Sequence, residues 1–181
     1  SRGVLSYPAP SLAPLSMSEV LILRDPRESV KKCSLTPLRG LEGVRFLEYA
    51  PDRRVQAEGR ILLHHEGEEL GPGDRGLDLL LVDSNWRRLP TLLRTVEGAP
   101  IRRRLPALVT AYPRRSRITP DPDGGLASVE ALWAALALTG AVRPELLEAY
   151  RFRDAFLQAN PLLWEPARAA GMTWDPAARP A

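Results

Sequence analysis

A chain of 181 residues, 44% hydrophobic and 26% charged, is the size of one globular domain with a core of its own. That balance excludes collagen-like, coiled-coil and wholly disordered chains, and no apolar run approaches the roughly 20 residues that span a bilayer. Net charge is only +3, yet Lys31 and Lys32 are the only lysines among 25 basic residues, so nearly every cation is an arginine suited to bidentate phosphate contact.

Residues 1–18, rich in Ser and Pro, lack the basic and apolar blocks of a signal peptide and are expected to form a flexible arm. The run VLIL (20–23) predicts a buried strand ending in a loop at RDP. VRFLEY (44–49) and RILLHH (60–65) predict two more. LDLLLVD (77–83), after the turn-rich GPGDRG, is apolar almost throughout, as in a strand covered on both faces of a parallel sheet. A helix is expected from Trp86 to Thr95, with Pro90 confining or kinking its first turn. ALVTAY (107–112) predicts a fifth strand. Ser128 is the expected N-cap of a helix over 128–139 that Gly140 closes, and Pro144 is expected to open a helix running to Asn160. Alternating strands and helices predict an α/β fold, with a domain over 19–165 and a loose tail over 166–181.

The single Cys33 cannot close an internal disulfide, which fits a reducing, cytoplasmic setting. One Cys and two His fall short of a four-ligand zinc site. His64 and His65, adjacent on a strand, are expected to point to opposite faces, so neither a shared metal nor any other metal is predicted. Composition explains the number of arginines but not their clustering. Arg102, Arg103 and Arg104, then Arg114, Arg115 and Arg117, flank the apolar segment 105–110, a concentrated positive field suited to RNA or, alternatively, a solvated face.

No Walker loop, dinucleotide-binding glycine motif or nucleophile elbow is present. Asp83 ends the most apolar strand, where open α/β sheets bind ligands, and Ser84, Asn85 and Trp86 follow at once. The competing reading is a helix N-cap beside a core tryptophan. Read with its neighbours, VDSNW (82–86) resembles the D-x-x-W signature of the superfamily that joins the DTW-domain proteins to the aminocarboxypropyltransferases of small-subunit ribosomal RNA. RRLPALVTAYPRRS (103–116), GLASVEALWAAL (125–136) and AFLQANPLLW (155–164) match the later motifs of the rRNA branch in order and rough spacing. RDPRESVKKCSLTPL (24–38) blends the first motifs of both branches. The likeness spans about residues 20–165.

The resemblance implies a SPOUT-like knotted sheet flanked by helices, with S-adenosylmethionine as cofactor. It implies transfer of the 3-amino-3-carboxypropyl group to a uridine-type base in rRNA or tRNA. Asp83 would be the catalytic carboxylate, accepting the base proton or orienting the substrate. Ser34 or Thr36, Val82, Trp86, Leu105 and Pro106, and Leu126, Ala127 and Ser128 would contact the cofactor, with Trp86 beside the adenine or the sulfonium. The chain departs from the pattern at YPRRSR (112–117) and at the insertion TPDPDGG (119–125), both beside the substrate mouth. Methyl transfer on the same fold, and a non-catalytic RNA-binding module, are the alternatives. A monomer is expected.

Overall fold

The computed structural model describes residues 17–113 and 125–180. Strands β1 (Val20–Arg24), β2 (Val44–Glu48), β3 (Val55–Gln56), β4 (Ile61–Glu69), β5 (Leu79–Asp83), β6 (Val96–Glu97) and β7 (Ile101–Arg104) fill the first part of the chain. Of helices α1 (Leu89–Leu93), α2 (Ser128–Leu138), α3 (Arg153–Ala159) and α4 (Trp164–Ala169) only α1 lies between strands, so the expected alternation of strands and helices is not observed. Five strands make one wholly parallel sheet in the order β2-β1-β5-β4-β7, and β3 pairs with β6 separately. The chain is nonetheless α/β, as expected.

Apolar residues on successive positions feed both faces of the sheet. Val20, Ile22, Ile61, Leu79 and Leu81 join the larger core around α2, where Trp133 and Phe156 meet edge to face at 6.5 Å. Leu21, Leu23, Leu62 and Leu80 join Val55 and Leu92 on the other side. This two-sided burial explains why the strands read as unbroken apolar runs. It also places Asp83 on the α2 side of β5 and Val82 on the opposite one, because strand side chains alternate. α1 begins with Pro90 in its first turn, where a missing N–H does no harm.

Four further expectations are corrected. ALVTAY is not a strand. Its backbone bonds to side chains: Asn160 accepts from the Val109 N–H at 2.7 Å and donates to the Val109 carbonyl at 2.9 Å, while Glu130 accepts from the Ala111 N–H. The fifth strand is the arginine run of β7, whose alternate residues face solvent. The helix expected from Pro144 to Asn160 is broken, with a single 3-10 turn at Pro144–Leu146 and α3 beginning only at Arg153. The tail is not loose. α4 crosses residue 165, Ala167 and Met172 are buried, and Trp174 donates its indole N–H to Gln158.

The fourth correction concerns the two histidines. His64 and His65 do not diverge but stack, with ring centroids 4.4 Å apart. The ladder between β4 and β7 explains this: Leu63 and Glu68 both lie opposite Arg103, so residues 64–67 bulge out and the alternation fails. Gly67 permits the bulge with φ of 153°, and a Cβ there would lie 2.8 Å from the Arg102 carbonyl oxygen. Gly67→Ala is expected to cost about 2 kcal/mol, a drop of roughly 4–8 °C in Tm by calorimetry. An unchanged Tm would mean that the bulge yields freely.

Among the described residues no helix is long and apolar enough to cross a membrane. Arg114, Arg115 and Arg117, most of the expected arm and most of the 119–125 insertion lie outside the described residues.

Candidate functional site

Two adjoining cavities meet at Leu126, at the carboxyl end of β5. The first, of about 390 Å³, is polar. Glu28, Lys32 and Ser34 come from the loop after β1, Asp83 and Ser84 from the end of β5, and Ser128 from the start of α2. The second, of about 520 Å³, is mainly apolar, walled by Leu63, Leu81, Leu105, Pro106 and Leu108 and edged by His64 and His65. Both volumes lie within the roughly 300–1,000 Å³ of small-molecule sites.

Asp83, only 8% exposed, is held through both oxygens. The Ser128 hydroxyl donates to Oδ1 at 2.8 Å and the Cys33 thiol to Oδ2 at 3.2 Å. Burial, and then the Asp83 carboxylate beside it, pushes the Cys33 thiol above its ordinary pKa, so it stays a donor. Ser128 is free for this task because it is not the N-cap. That position belongs to Ala127, whose N–H donates to the Glu130 carboxylate, while the Val129 N–H donates to Ser34 Oγ. Ser34 thus ties the first loop to the start of α2.

Glu130 is fully buried and organises the rim. Its carboxylate accepts from the Ala127 and Ala111 N–H groups and from the hydroxyls of Thr110 and Tyr150, all within 2.7–2.9 Å. Burial, and then the Glu130 charge, raises the Tyr150 pKa far above its usual value. One side chain therefore fastens segment 105–112, which walls the apolar cavity, to the helix that carries Ser128.

The loops after β1 and β5 are locked together by Asp25, fully buried, which accepts from Arg88 Nε at 2.9 Å and from the Arg27 N–H at 3.1 Å. Burial alone would raise the Asp25 pKa, but the bonds and charges of Arg88 and Arg27 outweigh it and hold it below the ordinary carboxylate range. Arg88→Met strands this charge and is expected to cost about 2–4 kcal/mol at pH 7, less than a wholly buried pair because Arg88 is 21% exposed. A depressed carboxylate pKa gives stability present at neutral pH and lost as pH falls through the folded value. The variant's deficit in urea melts should therefore shrink in acid; a deficit independent of pH would refute the ionic account.

The remaining expected site residues divide. Leu105, Pro106 and Leu126 line the apolar cavity, and Ser34, Leu126, Ala127 and Ser128 the polar one. Thr36 lines neither, since its hydroxyl donates to the Val30 carbonyl and closes a turn. Val82 points to the opposite core. Trp86 also lines neither. The Asn85 side chain accepts from the Arg88 N–H, and the turn swings Trp86 outward, where it is 46% exposed with Arg87 over its ring at 5.4 Å.

The β7 arginines form ion pairs across to β4, Arg102 with Glu66, Arg103 with Glu68 and Arg104 with Glu69, and Arg103 also pairs with Asp74 of the turn that follows β4. These carboxylates offset much of the positive field expected from the run. Among the described residues, Arg27, Lys31, Lys32 and Arg87, on the loops after β1 and β5, form no ion pair; Lys32 lines the polar cavity, and Trp86 and Val30 on the same loops are exposed. Glu28, Lys32, Cys33 and Glu130 carry no spacing signal of their own and become site residues only when the loops converge. His64, His65 and Glu66 bring possible ligand atoms within 4.8 Å of one another. His64 Nδ1 accepts from the Glu66 N–H, and the Glu66 carboxylate pairs with Arg102.

No family model matches the chain, and no curated protein matches it. Among solved structures, the fold is similar to that of the SAM-dependent rRNA:acp-transferase Tsr3 from Vulcanisaeta distributa, with a TM-score of 0.65 and 26% sequence identity. The match covers 86% of this chain and 84% of that one.

Proposed function

We propose that this protein is an S-adenosylmethionine-dependent transferase that places a 3-amino-3-carboxypropyl group on a uridine-type base of ribosomal RNA. The observation that carries the reading is the pair of cavities at Asp83, within a fold similar along most of its length to an rRNA:acp-transferase. The residues present fit the cofactor. The apolar cavity suits an adenosyl group. The polar one, with Lys32, Glu28 and a buried Ser84 hydroxyl that has no partner, suits a zwitterionic amino-acid end.

When bound, S-adenosylmethionine supplies a carbon activated by its sulfonium. Leu105, Pro106 and Leu126 would hold its adenosyl group and Lys32, Glu28 and Ser84 its amino-acid end, so that the carbon beside the sulfonium would be open to a base nitrogen, with 5′-methylthioadenosine as the leaving group. Asp83 accepts the proton lost by the base nitrogen, with Ser128 and Cys33 fixing the carboxylate in place. The rest of the site works by alignment: the loops after β1 and β5, clamped by Asp25 and Arg88, hold the reactants in line. On this reading the segment that threads beside the cavities forms the SPOUT-like knot, the protein acts as a monomer, and its place is the cytoplasm.

Incubating the protein with S-adenosylmethionine and small-subunit rRNA should release methylthioadenosine. Release of S-adenosylhomocysteine instead would mean methyl transfer, and binding of RNA without either product would mean a non-catalytic module.

The RNA track runs over the loops after β1 and β5, with Lys32 at the polar cavity, Arg27, Lys31 and Arg87 on the same loops, and exposed Trp86 as a stacking plane. Arg102 and Arg104, each about half exposed, extend it past the apolar cavity. Lys31→Ala with Lys32→Ala is expected to weaken RNA binding at least tenfold at low salt and to flatten the salt slope by about two. Arg103→Ala, which breaks the bond to buried Asp74, should instead lower Tm. Salt titrations that leave the lysine variant unchanged would remove these residues from the track.

A further inference from the structure

The bulge that carries His64 faces the apolar cavity, and its chemistry is fixed by one hydrogen bond. The Glu66 backbone N–H donates to His64 Nδ1 at 3.0 Å. An N–H cannot accept, so Nδ1 must hold a lone pair, and the proton of the neutral ring sits on Nε2. Burial, followed by the charges of His65 and Arg102, holds the His64 pKa below its ordinary value, which keeps the ring in this neutral state at pH 7. His64 therefore brings one side-chain donor of fixed tautomer to a cavity walled mainly by leucines, alanines and Pro106, with His65 and Arg104 at its edge.

Of the other side chains at that edge, Arg104 bonds Glu69 at 3.1 Å and His65 stacks on His64. An adenine ring offers flat apolar faces and three ring-nitrogen acceptors, N1, N3 and N7. We propose that His64 reads the purine of the cofactor, its Nε2–H donating to one adenine ring nitrogen. This rests on the cofactor assignment made above and adds to it a specificity-determining residue. Gly67 is then part of the same device, because only a residue without a Cβ lets the bulge turn His64 to the cavity.

The test measures calorimetric affinities of the full chain for 5′-methylthioadenosine and its 1-deaza, 3-deaza and 7-deaza analogues. The wild type should bind the parent compound and lose about five- to tenfold for the one analogue that lacks the paired nitrogen. His64→Phe should weaken the parent by the same factor and abolish the difference. His64→Gln, whose amide both accepts from the Glu66 N–H and offers a donor near the Nε2 position, should restore it. Equal affinity for all four compounds in the wild type overturns the inference, as does a preference that survives in His64→Phe. Failure of the wild type to bind methylthioadenosine or S-adenosylmethionine overturns the cofactor reading itself, and the inference with it.

Discussion

Asp83→Asn is expected to cut methylthioadenosine release by about 10²–10⁴-fold while leaving the affinity for methylthioadenosine within about threefold. The amide keeps the shape of the carboxylate but cannot take a proton, and its NH2 group must face either the Ser128 hydroxyl or the Cys33 thiol, both of which now donate to Asp83. Single-turnover assays on rRNA separate the two contributions. Ser128→Ala keeps the carboxylate but frees one oxygen, and should lose only about tenfold. If Asp83→Asn retains activity within tenfold of the wild type, the base proton leaves by another route and Asp83 merely shapes the cavity. If the two variants lose equally, positioning by Ser128 matters as much as the charge.

Much of this frame was legible in the sequence, and the reasons for the rest are physical. Four apolar runs predicted four of the five sheet strands, and in β1 and β5 burial on both faces leaves a signal that needs no knowledge of partners. The end of the strongest run placed Asp83 at the carboxyl end of the central strand, and the helix expected over 128–139 lies over Ser128–Leu138, its cap one residue earlier at Ala127. The failures share one cause: tertiary partners override local pattern. ALVTAY has strand composition, but Asn160 and Glu130, 51 and 19 or 20 positions away, take the bonds a neighbouring strand would have used. The alternation rule failed at His64 and His65 because a bulge breaks the ladder, and only Gly67 hints at it. The arginine run reads as a positive field or a solvated face, and the sequence does not show that the facing strand supplies a carboxylate for each member. Trp86 carried the signature but points outward, since the Asn85 turn decides its direction.

Glu130 shows how far such partners reach, and its removal is expected to have the largest effect on stability. Glu130→Ala would strand four buried or half-buried donors, from Ala111, Ala127, Thr110 and Tyr150, that share one carboxylate. Each orphaned donor costs about 1–3 kcal/mol, but the groups act as a unit and part of the loss is recovered by water, so a total of about 3–5 kcal/mol is expected. For a chain of this length that is roughly 6–20 °C in Tm. Glu130→Gln should recover only part of it, because the amide accepts through one oxygen and turns its NH2 toward donors. The two variants also separate folding from function. Segment 105–112 walls the apolar cavity, and Ser128 stands two residues before Glu130 on the helix it anchors, so methylthioadenosine affinity should fall even under conditions where Glu130→Gln remains folded. A variant with lowered Tm but unchanged affinity would mean that the wall is held by Asn160 at Val109 alone, and that the carboxylate serves only the packing of α2.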